Sequence, residues 1–159
     1  SNDRVLFDGL EVADIPAIVV EQTFQKSSEL TLEPSEINRE LHNSPAVISE
    51  LIDRCRQRQE TDGPHVTNLS LLPFSSEDHQ FLDAKLGVGE TTILSRGYGT
   101  CRISSTAIKP IWRVQYFNSG DQLILDTLEV VSIPEVACAA QEDISDSALR
   151  LKEIQEALL

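Results

Sequence analysis

Apolar positions along this chain recur with two spacings, and the change from one to the other marks out the elements. Val47, Ile48, Leu51, Ile52 and Cys55 fall at i, i+1, i+4, i+5 and i+8, which is one face of a helix. Ser44 as N-cap and Pro45 at the first helical position start it, and Gly63-Pro64 stops it. A second stripe, Phe81, Leu82 and Leu86, follows Ser75 and Ser76, either of which can cap it. Glu77 and Asp78 sit in its first turn, where the helix dipole favours them, and Gly87 suits the left-handed position past its end. From there the period drops to two. Residues 90–96, 100–106, 111–117 and 123–130 read as strands, with a Gly-Tyr-Gly turn after the first and an Asn-Ser-Gly-Asp turn after the third. In 111–117, Trp112, Val114 and Tyr116 alternate with Arg113, Gln115 and Phe117. An earlier alternating run, 66–72, ends at Pro73 and adds one more strand. Pro134 starts a short helical stretch to Ala140. A last stripe, Ile144, Ala148, Leu151, Ile154 (or Gln155) and Leu158, predicts a C-terminal helix capped by Asp143 or Ser145. This order predicts an α+β domain: an antiparallel sheet of about five strands with helices packed mainly on one face.

The apolar pattern also repeats. Residues 8–16 (DGLEVADIP) and 126–134 (DTLEVVSIP) agree at six of nine positions, with apolar flanks in both. The repeat implies that the chain opens with the closing element of one copy of a domain and then contains a whole second copy, in a natural protein longer at its N-terminus. Residues 1–22 are accordingly assigned as the tail of a preceding copy, or a tag remnant plus a strand. Residues 23–43, polar and without a strong period, are assigned as a linker, and 44–159 as the domain. Ser1-Asn2 reads as a tag remnant or an internal cut.

Composition narrows the function classes. At 159 residues one domain is the default, with chain enough for a core. Acidic residues outnumber basic ones 26 to 13, a formal net charge of −13. Nucleic acid binding needs cations that displace counterions from phosphates, so this balance argues against it and against an anionic membrane surface. The acidity serves solubility or a basic partner. No apolar run approaches the roughly 20 residues that span a bilayer, which argues against direct membrane insertion. Cys55, Cys101 and Cys138 lie far apart with no CxxC, a pattern suited to a reducing cytoplasm.

No residue set declares a catalytic centre, a metal site or a cofactor. Gly87-Val88-Gly89 follows a helix and does not open one, so it is a cap and loop, not a phosphate cradle. Arg96-Gly97-Tyr98-Gly99 lacks the Lys and Ser/Thr of a P-loop and reads as a hairpin turn or a recognition loop. His42, His65 and His79 have no ligand at metal spacing, which leaves open only a site assembled from distant residues. Cys101 neighbours Arg102, which could lower a thiol pKa, but no oriented base is indicated. Cys55 reads as core, and Cys101 and Cys138 as packing residues. Glu142, Asp143 and Asp146 cap the last helix or form an acidic docking face. Trp112, the only tryptophan, is either core or an interface anchor.

The run NLSLLPFSSEDHQFLDAKLGVGETTILSRGYGTCRISSTAIKPIWRVQYFNS, followed by LILDTLEVVSIPEVACAAQEDISDSALRLKEI, resembles the HupH/HyaF family of NiFe-hydrogenase expression and formation proteins. The resemblance covers about 44–157 and makes 44–159 a HupH-type C-terminal domain. It implies that members carry two copies, in agreement with the repeat. It implies a cytoplasmic maturation accessory, a dedicated chaperone for an uptake hydrogenase precursor, acting on the iron–sulfur small subunit before twin-arginine export. The implied partners are that precursor and a thioredoxin-like hydrogenase accessory protein. The family brings no established catalytic residues. Its distinctive positions here are Arg96, Gly97, Tyr98, Gly99, Arg102, Trp112, Tyr116, Pro134 and Glu135. Of these, Arg96, Tyr98, Arg102, Trp112 and Tyr116 are the expected partner-binding set. The alternative expectation is a metal- or iron–sulfur-handling assembly factor using Cys101, Cys138 or the histidines.

Overall fold

The computed structural model describes residues 9–59, 61–96 and 99–158. In chain order its elements are α1 (Ala17–Gln22), α2 (Ser44–Gln57), β1 (His65–Asn68), α3 (Ser76–Leu86), β2 (Thr92–Arg96), β3 (Thr100–Ser105), β4 (Ile111–Phe117), β5 (Leu123–Val130) and α4 (Gln141–Ala157). The strands form one antiparallel sheet in the order β1-β5-β4-β3-β2. The architecture is the predicted α+β one, and β4 and β5 have the predicted limits. β1 is shorter than its alternation implied. Asn68 turns its side-chain oxygen onto the Ser70 amide at 3.0 Å, and residues Leu69–Leu71 close into a 3-10 turn. The stretch after Pro134 is likewise one 3-10 turn, Glu135–Ala137. α4 starts at Gln141, ahead of Asp143 and Ser145, with no side-chain cap.

Strand parity divides the apolar residues between two cores. On one face Ile111, Leu128 and Val130 meet Val47, Ile48 and Leu51 of α2 and Leu82 and Leu86 of α3. These residues are the two helical stripes of the sequence. On the other face Cys101, Ile103, Trp112 and Val114 are buried under Phe24, Val131, Ile133 and Ala137. That face is closed by irregular chain. The Phe24 ring stands edge-on to Trp112 with centroids 5.3 Å apart, and the Trp112 indole N–H donates to the Ser132 carbonyl at 3.2 Å.

The polar stretch 23–43 is tied to the domain along its length. Thr23 and Thr91 share a hydroxyl hydrogen bond of 2.7 Å. The Ser28 amide donates to Ala107 at 2.9 Å, and Leu30 enters the helix-side core. Lys85 reaches Glu36 at 2.6 Å and the Thr31 carbonyl at 2.9 Å.

The helix layer is set by one carboxylate. Oδ1 of Asp78 accepts the amides of His42 (3.0 Å), Asn43 (3.1 Å) and Ser44 (2.9 Å), and the Ser44 hydroxyl (2.7 Å). Oδ2 accepts the Ser75 amide at 3.2 Å, while the Ser75 hydroxyl accepts from the Asp78 amide at 3.0 Å, a reciprocal capping box. Asp78 therefore satisfies free amides at the starts of both α2 and α3, groups a helix leaves without partners. Burial alone would raise its pKa. The hydrogen bonds from Ser44, Ser75 and Asn43 outweigh that and hold the carboxyl well below the ordinary range.

Two predictions follow from this packing. A carboxylate whose folded pKa is depressed stabilises the fold fully above its unfolded value of about 4. That contribution is lost as pH falls through the folded pKa. Asp78→Asn should therefore lower the Tm clearly at pH 7, by the equivalent of about 2 kcal/mol or more, and the gap to the parent should narrow at pH 3 in thermal melts. At Gly89 a Cβ would run into the Ser105 hydroxyl and the Ser105 and Thr106 carbonyls, whereas nothing lies within 4 Å of one added at Gly63. Gly89→Ala should cost about 1–3 kcal/mol in urea unfolding, and Gly63→Ala less than about 0.5 kcal/mol.

Candidate partner surface at the hairpin end

The β2–β3 hairpin carries most of the residues expected to meet a partner, and its register decides which of them act together. Leu94 opposes Arg102 and Arg96 opposes Thr100. Across the other side of β3, Arg102 opposes Gln115 and Thr100 opposes Phe117. Leu94, Arg96, Arg102 and Phe117 thus share one face, at the sheet end away from the helix-side core. Arg96 and Arg102 are exposed and Leu94 is half exposed. The Arg102 guanidinium carbon stands 5.4 Å from the centre of the Phe117 ring, a cation–π contact that holds the side chain over the sheet. Among the described residues neither guanidinium reaches a carboxylate within 4.0 Å.

Arg113, on the same face, is the contrast. It grips Asp126 through Nε at 2.9 Å and Nη2 at 2.6 Å, and Asp83 through Nη1 at 2.6 Å. Those bonds, Asp126 foremost, hold its pKa above the usual guanidinium value, so it is a committed structural cation.

The other expected residues lie elsewhere. Trp112 is fully buried on the opposite face, beneath Phe24. Tyr116 is half-buried on that face and pairs with Cys101 across the strands. Tyr98 lies outside the described residues. The structure brings Arg96 and Arg102 together and adds Leu94 and Phe117, which sequence reasoning did not single out. The signal for them was present: Leu94 has the parity of Arg96, and Phe117 that of Arg113.

β2 is also an outer strand of the sheet, exposed at four of its five residues. Among the described residues nothing pairs with its outward amides and carbonyls, and Leu94 and Arg96 offer an apolar contact and a charge beside it. Among the described residues none of the three thiols is activated. All three thiols are pushed up: Cys101 by burial and the nearby Glu129, Cys55 by burial, and Cys138 by burial with Asp14 and Glu135. Among the described residues no group of three His, Cys, Asp or Glu side chains is placed to hold a metal ion, and no helix is long and apolar enough to cross a membrane. A cleft of about 420 Å3 between the N-terminal stretch and the end of α2 is lined by Phe24, Cys55, Arg58, Lys109 and Ile133 among others. Arg58 there is engaged with the Ser132 hydroxyl at 3.2 Å.

Comparison with known proteins places this geometry. The hydrogenase expression/formation protein HupQ of Azotobacter chroococcum is 58% identical over 157 residues, 98% of this chain and 55% of that protein. The hydrogenase expression/formation protein HupH of Rhodobacter capsulatus is 46% identical over 153 residues, 95% of this chain and 54% of that protein. The chain spans about half the length of these curated relatives. A solved structure, the hydrogenase expression protein HupH from Thiobacillus denitrificans, superposes with a TM-score of 0.66 at 24% identity. It covers 74% of this chain and 97% of its own, and so has the same fold. The profile described as "HupH hydrogenase expression protein, C-terminal conserved region" matches residues 41–158. The chain belongs to the HupH hydrogenase expression protein family, within its C-terminal conserved region.

Proposed function

We propose that this chain serves in hydrogenase maturation as the client-holding part of an accessory protein. Its client is the precursor of the iron–sulfur small subunit of an uptake NiFe hydrogenase, held in the cytoplasm before export. A thioredoxin-like accessory protein is the second partner. The observation that carries the reading is the open hairpin end of a member of this family: Arg96 and Arg102 without carboxylate partners among the described residues, beside Leu94 on an outer strand.

The mechanism is binding without bond chemistry. An extended client segment adds to β2 through main-chain hydrogen bonds, Leu94 gives it an apolar contact, and the two guanidinium groups take its carboxylates or carbonyls. The remaining surface of a chain with net charge −13 draws a basic signal peptide by long-range attraction, so the two ends of a precursor meet two kinds of surface.

The protein at the full length of its relatives, used as bait, should retain the small-subunit precursor with its signal peptide in place. Reversal of both cations (R96E with R102E) should cut that retention about tenfold, a loss of about 1.4 kcal/mol, with the thermal melt unchanged. If neither the precursor nor its signal-less form is retained, the reading fails. Full retention by the double variant would move the contact away from the hairpin.

A further inference from the structure

α4 is an amphipathic helix with no core of its own. None of its residues is buried; Ile144 and Leu151 are half-buried, Leu149 and Ile154 are exposed, and so is Leu158 just past its end. Ile144 and Leu151 line a cleft with Glu11, Val12 and Ala13, the first copy of the repeated motif. The last helix therefore leans on the opening segment of the chain.

That opening segment keeps the local geometry of its repeat. Pro16 has φ −57° and ψ 134°, and Pro134 has φ −59° and ψ 135°. Each proline carbonyl accepts from the amide three residues on, Val19 at 2.9 Å and Ala137 at 3.0 Å, and so starts a helical turn. The residues before the prolines do not share one environment. Leu128 and Val130 are 0% and 1% exposed at the centre of the helix-side core, whereas their equivalents Leu10 and Val12 are 85% and 41% exposed. A motif built for burial is thus buried in one copy and left open in the other.

The Asp14 carbonyl accepts from the Ala139 amide at 2.7 Å, a second tie between the opening segment and the stretch that leads into α4. The relatives supply room for a second copy: the aligned stretch is 55% of HupQ, which leaves a little less than half outside, about one unit of this size.

We propose that the unit packs against a second copy of itself in the same polypeptide, through the face that Leu10, Val12 and α4 leave open. Leu10 and Val12 complete the last strand of that copy, and α4 of this unit lies across it. The inference rests on the repeat and not on client binding, so its failure leaves the hairpin surface untouched.

Hydrogen exchange on the protein at the full length of its relatives tests it. The amides of 9–12 should be protected about a hundredfold or more over the same amides in the 159-residue chain, approaching those of 127–130. Truncation after Ala140 should leave the Tm of the 159-residue chain nearly unchanged, yet strip protection from 9–12 in the longer protein. Leu10→Asp should do the same there while remaining silent in the shorter chain. Fast exchange at 9–12 in the longer protein overturns the proposal. Protection that survives loss of α4 overturns the crossed packing and keeps only the duplicated unit. Protection that appears in the 159-residue chain as its concentration rises assigns the surface to a second chain, and overturns the same-chain occupant.

Discussion

The fold hangs on a carboxylate placed where two helices begin. Asp78 collects amides from residues 42 to 44 with one oxygen and the Ser75 amide with the other, so the start of α2 cannot shift without breaking the start of α3. Two helices pinned at one point present their apolar stripes to the same sheet face, where Ile111, Leu128 and Val130 receive them. The helix layer covers the β1–β5–β4 side of the sheet and leaves the far end of β2 and β3 free. The exposed arginines of the hairpin are in that sense a consequence of where the helices are pinned.

Periodicity made much of this legible. The alternation of β4 and the stripe of α2 follow from side-chain direction alone, whereas the N-cap of α2 is Asn43, one residue ahead of the expected Ser44, and the helix ends at Gln57, short of Gly63-Pro64. Asp78 read as a first-turn acid, because a local rule sees the Ser75 cap three residues away and not the amides of α2 more than thirty residues upstream. Parity likewise put Trp112 and Arg113 on opposite faces but could not tell which face would be covered. What covers Trp112 is Phe24, from a stretch whose polar composition and lack of period read as a linker. Irregular chain that buries a single ring leaves no periodic trace. Among the candidate surface residues, the arginines were visible by type, whereas their apolar neighbours became visible only once the hairpin register was fixed.

Three guanidinium groups on one face illustrate how environment divides identical chemistry. Arg113 is half-buried and spends its donors on Asp126 and Asp83, tying the sheet to α3. Arg102 rests on Phe117, an aromatic face that steadies the cation without neutralising it. Arg96 extends from an outer strand. Among the described residues the second and third make no ion pair, while the first has been absorbed into stability.

The two borders of the sheet are unequal, and this limits how molecules of this kind can polymerise. β1 is four residues long and bends at once into a 3-10 turn, with Ser70 Oγ already taken by the Asp126 amide at 2.8 Å. β2 is the longer and more open border. Continuous growth of a sheet from molecule to molecule needs two competent borders, one to give and one to receive. With only one, edge pairing ends at a closed head-to-head pair. The protein can offer a strand to a partner without opening a route to a filament.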